Sequence, residues 1–270
     1  MQLEQITTVF SLVLLLCAGL ARAMSLKRFE DPYMKRSKAA LKVYRDLFFK
    51  EVIPPASVEV GPGSSTVLMC EAGGNPPPTI HWLRNGERIK QGIPHDSADE
   101  TTTYERHNRG PVQIGNTKSE LVIDCASRAS EGTYTCVAET PTRIITTDSE
   151  VIFNEKMPSK ISGKCLSRAK KQGSQEPARI VMWTSDRAEL AGADVQLYCR
   201  ATGARPLHYT WFKEDGEVIE GKRDEYEVLP NGDLLIRNVN FENHMGGYKC
   251  EAKNAFGKDT TSGLFYVFRP

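Results

Sequence analysis

The sequence predicts an all-β protein made of two β-sandwiches in tandem, and an internal repeat is the main evidence for this. The stretch Cys70–Trp82 matches the stretch Cys199–Trp211, with Cys, Gly, Pro and Trp at the same offsets. Each half then closes on a Gly-x-Tyr-x-Cys motif, which ends at Cys136 in the first half and at Cys250 in the second. This series of Cys, Trp, Tyr and Cys is typical of a two-sheet sandwich.

The repeated residues have a structural role in such a fold. One Cys from each sheet faces the other across the core, the Trp packs against their disulfide, and the Tyr hydrogen-bonds to a nearby backbone carbonyl. The spacing therefore predicts the pairings Cys70–Cys136 and Cys199–Cys250. The remaining predicted core residues are Trp82, Trp211, Tyr134 and Tyr248. We expect all of these residues to build the fold rather than to perform chemistry.

Both halves resemble the immunoglobulin superfamily, and the second half resembles its intermediate (I) set. The segments Tyr44–Pro55, Leu229–Ile236 and Gly247–Asp259 are similar to those of secreted two-domain members, the insect imaginal morphogenesis protein and the nematode zwei-Ig proteins. The resemblance implies two immunoglobulin-like domains and an extracellular binding function. It leaves two partners open: a neuronal cell-surface or matrix protein, with a role in axon maintenance, or an insulin-like peptide that the protein would sequester from growth signalling.

One position in each half departs from the superfamily pattern. An Asp usually precedes the Gly-x-Tyr-x-Cys motif by two residues and joins an ion pair at this corner. Ser130 and His244 occupy that position here. The ion pair is therefore in doubt in both halves, although a surface pair contributes only about 0–1 kcal/mol.

The N-terminus has the features of a secretory signal. An apolar run from Val9 to Ala18 is followed by Ala21-Arg22-Ala23, which predicts cleavage after Ala23. The run is too short to span a bilayer, so we expect a secreted, extracellular protein without membrane insertion; an uncleaved anchor is the alternative. The predicted organisation is a signal peptide at 1–23, a basic segment at 24–52, a first domain at 53–153, a basic linker at 154–178 and a second domain at 179–270.

Two further cysteines suggest a third disulfide. Six cysteines remain once Cys17 leaves with the signal peptide, and an even number outside the cell indicates a fully bridged protein. Cys125 follows a strand of the first domain, and Cys165 lies in the linker that leaves the same end of that domain. We expect a Cys125–Cys165 bridge within the chain, and an intermolecular bond is the alternative.

Charge is informative only locally. The formal net charge is +1, which gives no reason to expect nucleic acid as a partner. In the 24–52 segment an apolar stripe through Ala40, Tyr44, Leu47 and Phe48 predicts a short N-terminal helix. The linker is basic, so heparan sulfate is a candidate partner and solvated arms are an equally good interpretation. The basic linker residues proposed for binding are Lys164, Arg168, Lys170 and Lys171.

The last strand of the second domain offers the best candidate surface for a protein partner. The segment Leu264–Phe268 is apolar at every position, whereas a half-exposed strand should alternate apolar with polar residues. One face must pack in the core, and the other is either covered by the first domain or a partner, or exposed. The candidate binding residues are Phe265, Tyr266 and Phe268.

The first domain is longer than the second between its cysteines. The extra residues lie in 91–118, a polar stretch that we interpret as an enlarged loop or an additional edge hairpin. Such a loop is either without special function or a binding site, because loops on rigid sandwiches often bind partners.

Nothing in the sequence indicates catalysis. The five histidines are scattered and none has metal-ligand spacing, and the chain lacks a Gly-x-Ser-x-Gly nucleophile turn. We therefore expect a binding protein without enzyme activity, metal or cofactor.

Overall fold

The computed structural model describes residues 47–91, 113–158, 175–219 and 224–269. All of these residues fall within one compact unit. The predicted signal peptide, residues 24–46 of the basic segment, and most of the 91–118 insertion and of the linker lie outside the described residues. The described part is almost entirely β-structure.

Eight strands of the described residues form the first sandwich. They are β1 (Phe48–Phe49), β2 (Ser57–Val60), β3 (Thr66–Gly74), β4 (Thr79–Arg84), β5 (Glu87–Arg88), β6 (Gln113–Ile123), β7 (Gly132–Thr140) and β8 (Arg143–Phe153). One of its sheets has the strand order β2-β8-β7-β4-β5. The opposing sheet contains β1, β3 and β6, and on β3 the side chains of Leu68, Cys70 and Ala72 alternate into the core.

In the part of the chain that the structure describes, the second sandwich contains nine strands and one short helix. They are β9 (Arg179–Leu190), β10 (Val195–Leu197), β11 (Cys199–Thr202), β12 (His208–Lys213), β13 (Val218–Ile219), β14 (Tyr226–Val228), β15 (Leu234–Ile236), helix α1 (Phe241–His244), β16 (Gly246–Asn254) and β17 (Gly257–Phe268). Strands β10, β15 and β14 form a three-stranded sheet, and β17, β16, β12 and β13 lie in the opposing sheet. The sequence prediction of two β-sandwiches is confirmed.

The two sandwiches share one continuous nine-stranded sheet. Its main path is β1-β3-β6-β9-β17-β16-β12-β13, and β11 also pairs with β9. Along one edge, strand β9 pairs antiparallel with β6 of the first sandwich. Along its other edge, the first part of β9 pairs antiparallel with β11, and the last part pairs in parallel with β17. One sheet of an immunoglobulin-like domain has the strand order A-B-E-D. In the first sandwich β6 takes the position of strand E, so β9 lies beside it in the position of strand D. The linked domains are therefore joined by backbone hydrogen bonds as well as by the chain.

Close contact between β9 and β17 requires a glycine. Strand β9 carries an irregularity near Ser185, where its register with β6 shifts between Asn116 and Thr117. A Cβ atom added at Gly263 would lie 2.3 Å from the Thr184 carbonyl oxygen. Only glycine permits such a close backbone approach, so this residue lets β17 join the shared sheet.

Two expectations from the sequence are wrong at the edges of the first sandwich. Residues 113–118, which we expected in an enlarged loop or an additional edge hairpin, are the first part of β6, which lies between β3 and β9. The predicted helix does not extend to Phe48, because β1 pairs Phe48 and Phe49 with Gly73 and Ala72. Leu47 is buried in the core, so the first sandwich begins upstream of residue 53. Of the apolar stripe that suggested a helix, Leu47 and Phe48 lie within the described residues, and there the apolar character serves burial against a sheet.

A chain of hydrogen bonds links the first core to β9. The indole Nε1 of Trp82 donates to Ser119 Oγ at 2.9 Å, and Ser119 Oγ donates to the Val181 carbonyl at 2.7 Å. All three residues are buried. Ser119 thus satisfies the indole N–H of one sandwich and a strand carbonyl that belongs to the other.

We expect Ser119→Ala to lower the free energy of unfolding by about 1–3 kcal/mol, because it leaves the buried indole N–H without an acceptor. Denaturant unfolding followed by tryptophan fluorescence measures the change. The exposed Ser57 on β2 provides a control, since Ser57→Ala should change stability by less than about 0.5 kcal/mol. Equal effects of the two substitutions would contradict a role for the Ser119 hydroxyl.

Candidate binding surface

The predicted core residues of the first sandwich surround its disulfide. Cys70 and Cys136 are bonded, with 6.5 Å between their Cα atoms. The adjacent Trp82 is fully buried. The Tyr134 hydroxyl donates to the Ser130 carbonyl at 2.9 Å, so the corner forms without an Asp at that position. These residues stabilise the fold and present no reactive group.

The second sandwich repeats this arrangement. Cys199 and Cys250 are bonded, and the Trp211 indole N–H donates to the Gly232 carbonyl at 2.9 Å. The Tyr248 hydroxyl donates to the His244 carbonyl, also at 2.9 Å. Burial raises the pKa of the Tyr248 phenol above its usual range.

The third predicted disulfide is only partly within the described residues. Cys125 is disulfide-bonded. Cys165 lies outside the described residues, as do Lys164, Arg168, Lys170 and Lys171. The Cys125–Cys165 pairing and the heparan sulfate contacts of the linker therefore stay predictions.

Strand β17 divides the proposed binding residues between two faces. Phe265 is 1% exposed and packs edge-on against Tyr248, with 6.3 Å between ring centroids. The assignment of Phe265 to a binding surface is therefore wrong: alternation along the strand turns this ring into the core. Tyr266 and Phe268 are 39% and 50% exposed, and Leu264 is 46% exposed. These three side chains lie on the opposite face, as the pattern predicted.

Where β17, β9 and β6 run side by side, both sandwich cores lie on the same side of the shared sheet. Phe265 is opposite Arg187, which in turn is opposite Gly115, and residues opposite one another in a sheet share a face. The inward residues of β17, β9 and β6 are thus on one side. The other side, which we call the outer face, carries Tyr266 and Phe268.

Neighbouring strands extend the apolar surface of β17. Tyr266 is in register with Ala188 and Phe268 with Leu190, and Ala188 is also opposite Ile114 of β6. The surface therefore crosses three strands and joins residues from both domains. We define the apolar outer patch as Ile114, Ala188, Leu190, Leu264, Tyr266 and Phe268. The sequence analysis missed the members on β6 and β9, because nothing in their local pattern reveals that these strands pair.

A groove of about 500 Å³ lies beside the patch on the outer face. Leu264 forms part of its lining, together with Phe212 and Lys249. The Lys249 Nζ atom is 4.8 Å from the centroid of the Phe212 ring, a cation–π contact. The groove gives the surface a recess with aromatic, apolar and cationic walls.

Polar contacts between the domains border the patch and the groove. The Asn116 side-chain amide donates to Asp186 at 3.3 Å, and the Ser185 hydroxyl donates to Glu71 at 3.0 Å. Lys118 Nζ lies 3.6 Å from the same Glu71 carboxylate. An apolar centre with a polar border is the usual anatomy of a protein–protein interface.

The described residues contain no helix of the length and hydrophobicity needed to cross a membrane. They also contain no group of three or more His, Cys, Asp or Glu side chains that could hold a metal ion.

Comparison with known proteins is consistent with this architecture. The family model for the immunoglobulin domain matches residues 50–140 and 177–254. The chain is 30% identical over 214 residues to the neural/ectodermal development factor IMP-L2 of Drosophila melanogaster, covering 79% of this chain and 74% of that protein. It is 32% identical over 217 residues to the zwei Ig domain protein zig-4 of Caenorhabditis elegans, covering 80% and 79% of the two chains.

The fold is also similar to a solved structure. The crystal structure of neural ectodermal development factor IMP-L2 superposes with a TM-score of 0.60 at 26% sequence identity. The match covers 83% of this chain and 95% of that one. Both immunoglobulin-like domains are therefore included in the similarity.

Proposed function

Because the chain belongs to the immunoglobulin domain family, we propose that it is a secreted binding protein that acts in the nervous system and holds a protein partner against the apolar outer patch. The observation that carries this proposal is the exposure of Leu264, Tyr266 and Phe268 on a sheet face that both domains share. Contiguous exposed apolar surface on a folded protein commonly marks an interaction site. The sandwiches provide a rigid support for it.

The neural role is supported by the relatives. One of them is named as a neural/ectodermal development factor, and it matches this chain across both domains. A cell-surface or matrix protein on neurons is the corresponding partner, and maintenance of axon position is the corresponding activity. Binding of heparan sulfate by the basic linker would add retention near the cell surface.

An insulin-like peptide is the second candidate partner. The resemblance described above implies it, and the surface is compatible with a small folded peptide. The apolar outer patch offers a flat contact area, and the adjacent groove offers a recess lined by Phe212 and Lys249. In this case the protein would sequester the hormone and reduce insulin and growth signalling.

We expect Tyr266→Ser and Phe268→Ser each to weaken binding about 10-fold or more, because large apolar side chains near the centre of an interface carry much of the binding energy. Calorimetric titration of the full chain with several insulin-like peptides measures this for the hormone candidate. Ile144→Ser is the matched control, since Ile144 is 64% exposed on β8, away from the patch. This control should bind as the wild type does.

The outcomes separate the candidates. Absence of heat with every peptide at tens of micromolar would remove the hormone candidate and leave the neuronal partner. Binding that survives both substitutions would place the site away from the patch. Phe265→Ser is unsuitable as a test, because replacing this buried ring would unfold the domain.

A further inference from the structure

The short helix α1 is closed by an unusual contact. The backbone N–H of Asn240 donates to the imidazole Nδ1 of His244 at 3.0 Å, and the Asn240 side chain in turn accepts from the Asn243 N–H at 2.8 Å. His244 is only 1% exposed. An imidazole nitrogen accepts a hydrogen bond only when it carries no proton. The observed turn therefore requires the neutral ring.

The surroundings of His244 do not favour a positive charge. Burial lowers the pKa of the imidazole below its usual range, and Lys213 on β12 acts in the same direction. The Tyr226 ring lies 5.5 Å away, and the Tyr248 hydroxyl is bonded to the His244 carbonyl. Glu225 Oε2 lies 3.7 Å from Nε2 and raises the pKa, but its side chain is 58% exposed, so solvent weakens this attraction and it does not offset the effect of burial. Glu242, the acidic residue of the helix itself, is paired with Arg269.

The helix forms one end of the proposed binding surface. It packs against β17, and the Arg269 guanidinium lies 4.9 Å from the centroid of the Phe241 ring. Arg269 follows Phe268 of the apolar outer patch directly in the chain. Met245, which connects the helix to β16, is 46% exposed. Movement of the turn would therefore change the border of the patch.

We propose that His244 is an acid-sensitive latch, whose protonation opens the turn at residues 240–245 and loosens the border of the apolar outer patch. A proton on Nδ1 would point at the Asn240 N–H, so the ring must leave its buried position. The consequence for partner release rests on the proposed function; the opening itself does not.

The direction of the pH dependence follows from linkage. An unfolded histidine has a pKa of about 6.5, and the folded value is lower, so the opened state binds more protons than the closed state. The closed turn is fully favoured above about pH 6.5. Its stability falls as the pH drops below that value and continues to fall down to the lowered folded pKa.

Nuclear magnetic resonance of the full chain between pH 7.4 and 5.0 tests the latch. We expect the amide protons of Asn240 and Asn243 to lose protection below about pH 6.5, even though acid slows intrinsic amide exchange. His244→Asn keeps an acceptor oxygen at the δ position and does not titrate, so its amides should remain protected. Full protection in the wild type at pH 5.0, or the same loss in His244→Asn, would overturn the proposal.

A second variant covers the case in which His244→Asn fails to fold. Glu225→Gln retains the ring and removes the nearest carboxylate, which lowers the folded pKa further. The loss of protection should then begin closer to pH 6.5 and be larger at each lower pH. An unchanged profile in Glu225→Gln would count against the latch.

The consequence for binding is measured separately. With an insulin-like peptide as the probe, we expect the dissociation rate to rise about 10-fold from pH 7.4 to 5.5 in the wild type, and less than twofold in His244→Asn. A peptide that does not bind at pH 7.4 would contradict the hormone candidate, whereas the latch is decided by the amide measurement alone. A peptide that binds but dissociates equally fast at both pH values would show that opening of the turn at residues 240–245 does not affect binding at the apolar outer patch.

Discussion

Replacing Trp82 with Ala should lower the free energy of unfolding by about 3–5 kcal/mol, among the largest effects of any single substitution in this chain. The indole is fully buried against the Cys70–Cys136 disulfide, and its N–H is bonded to Ser119. The substitution leaves a large cavity and also breaks the hydrogen-bond chain that reaches Val181 of β9. For a protein of this size the melting temperature should fall by roughly 6–20 °C.

Differential scanning calorimetry measures this effect and also reports on the coupling of the domains. Because β9 belongs to the sheets of both sandwiches, the Trp82→Ala protein should melt in one transition rather than in two. Phe256→Ala is the control, since that ring is 45% exposed. A Trp82→Ala protein that melts at the wild-type temperature would contradict the assignment of Trp82 to the core.

A proline in the centre of the shared sheet should be nearly as damaging. Lys118 of β6 lies between Glu71 of β3 and Trp183 of β9, in the interior of the nine-stranded sheet. Lys118→Pro removes a backbone donor from this ladder and leaves a strand carbonyl without its partner, so it should lower stability by about 1–3 kcal/mol or more. The Lys118 side chain is partly exposed, so loss of its packing contributes little. Denaturant unfolding of the full chain gives the change.

Thr146→Pro on β8 is the matched control for the proline. The Glu150 N–H faces β2, where it donates to the Ala56 carbonyl. By the two-residue period of a strand, the Thr146 N–H points to the same edge, beyond the part of β8 that β2 covers. Proline is tolerated where the N–H faces an uncovered edge, so Thr146→Pro should cost much less. Similar losses in both variants would show that the pairing of β6 with β9 does not stabilise the protein.

The sequence was informative wherever a residue's environment is determined by its own strand or by a repeated motif. The Cys, Trp and Tyr spacing indicated the sandwiches, because the core of each half needs those side chains at those intervals. Alternation in β17 predicted that Tyr266 and Phe268 share a face. That pattern could not say which of its two apolar faces was buried, so Phe265 was assigned to the surface along with its neighbours.

The joining of the two domains could not be predicted from local patterns. Residues 113–118 contain Gly115, Asn116 and Thr117, which are typical of a loop when no partner strand is known. Their extended conformation is stabilised by pairing with β9, which lies about 70 residues further along the chain. For the same reason, Ile114 and Ala188 became recognisable as one surface only when both strands were placed.

The shared strand β9 also limits how such a protein can evolve. Immunoglobulin domains in long arrays can be duplicated, deleted or shuffled between genes, because each carries a complete set of strands. Here a break between residues 158 and 175 would separate β6 from its neighbour and expose a sheet edge on both fragments. The pair therefore has to be inherited and exchanged as one module, even though the sequence shows two repeats.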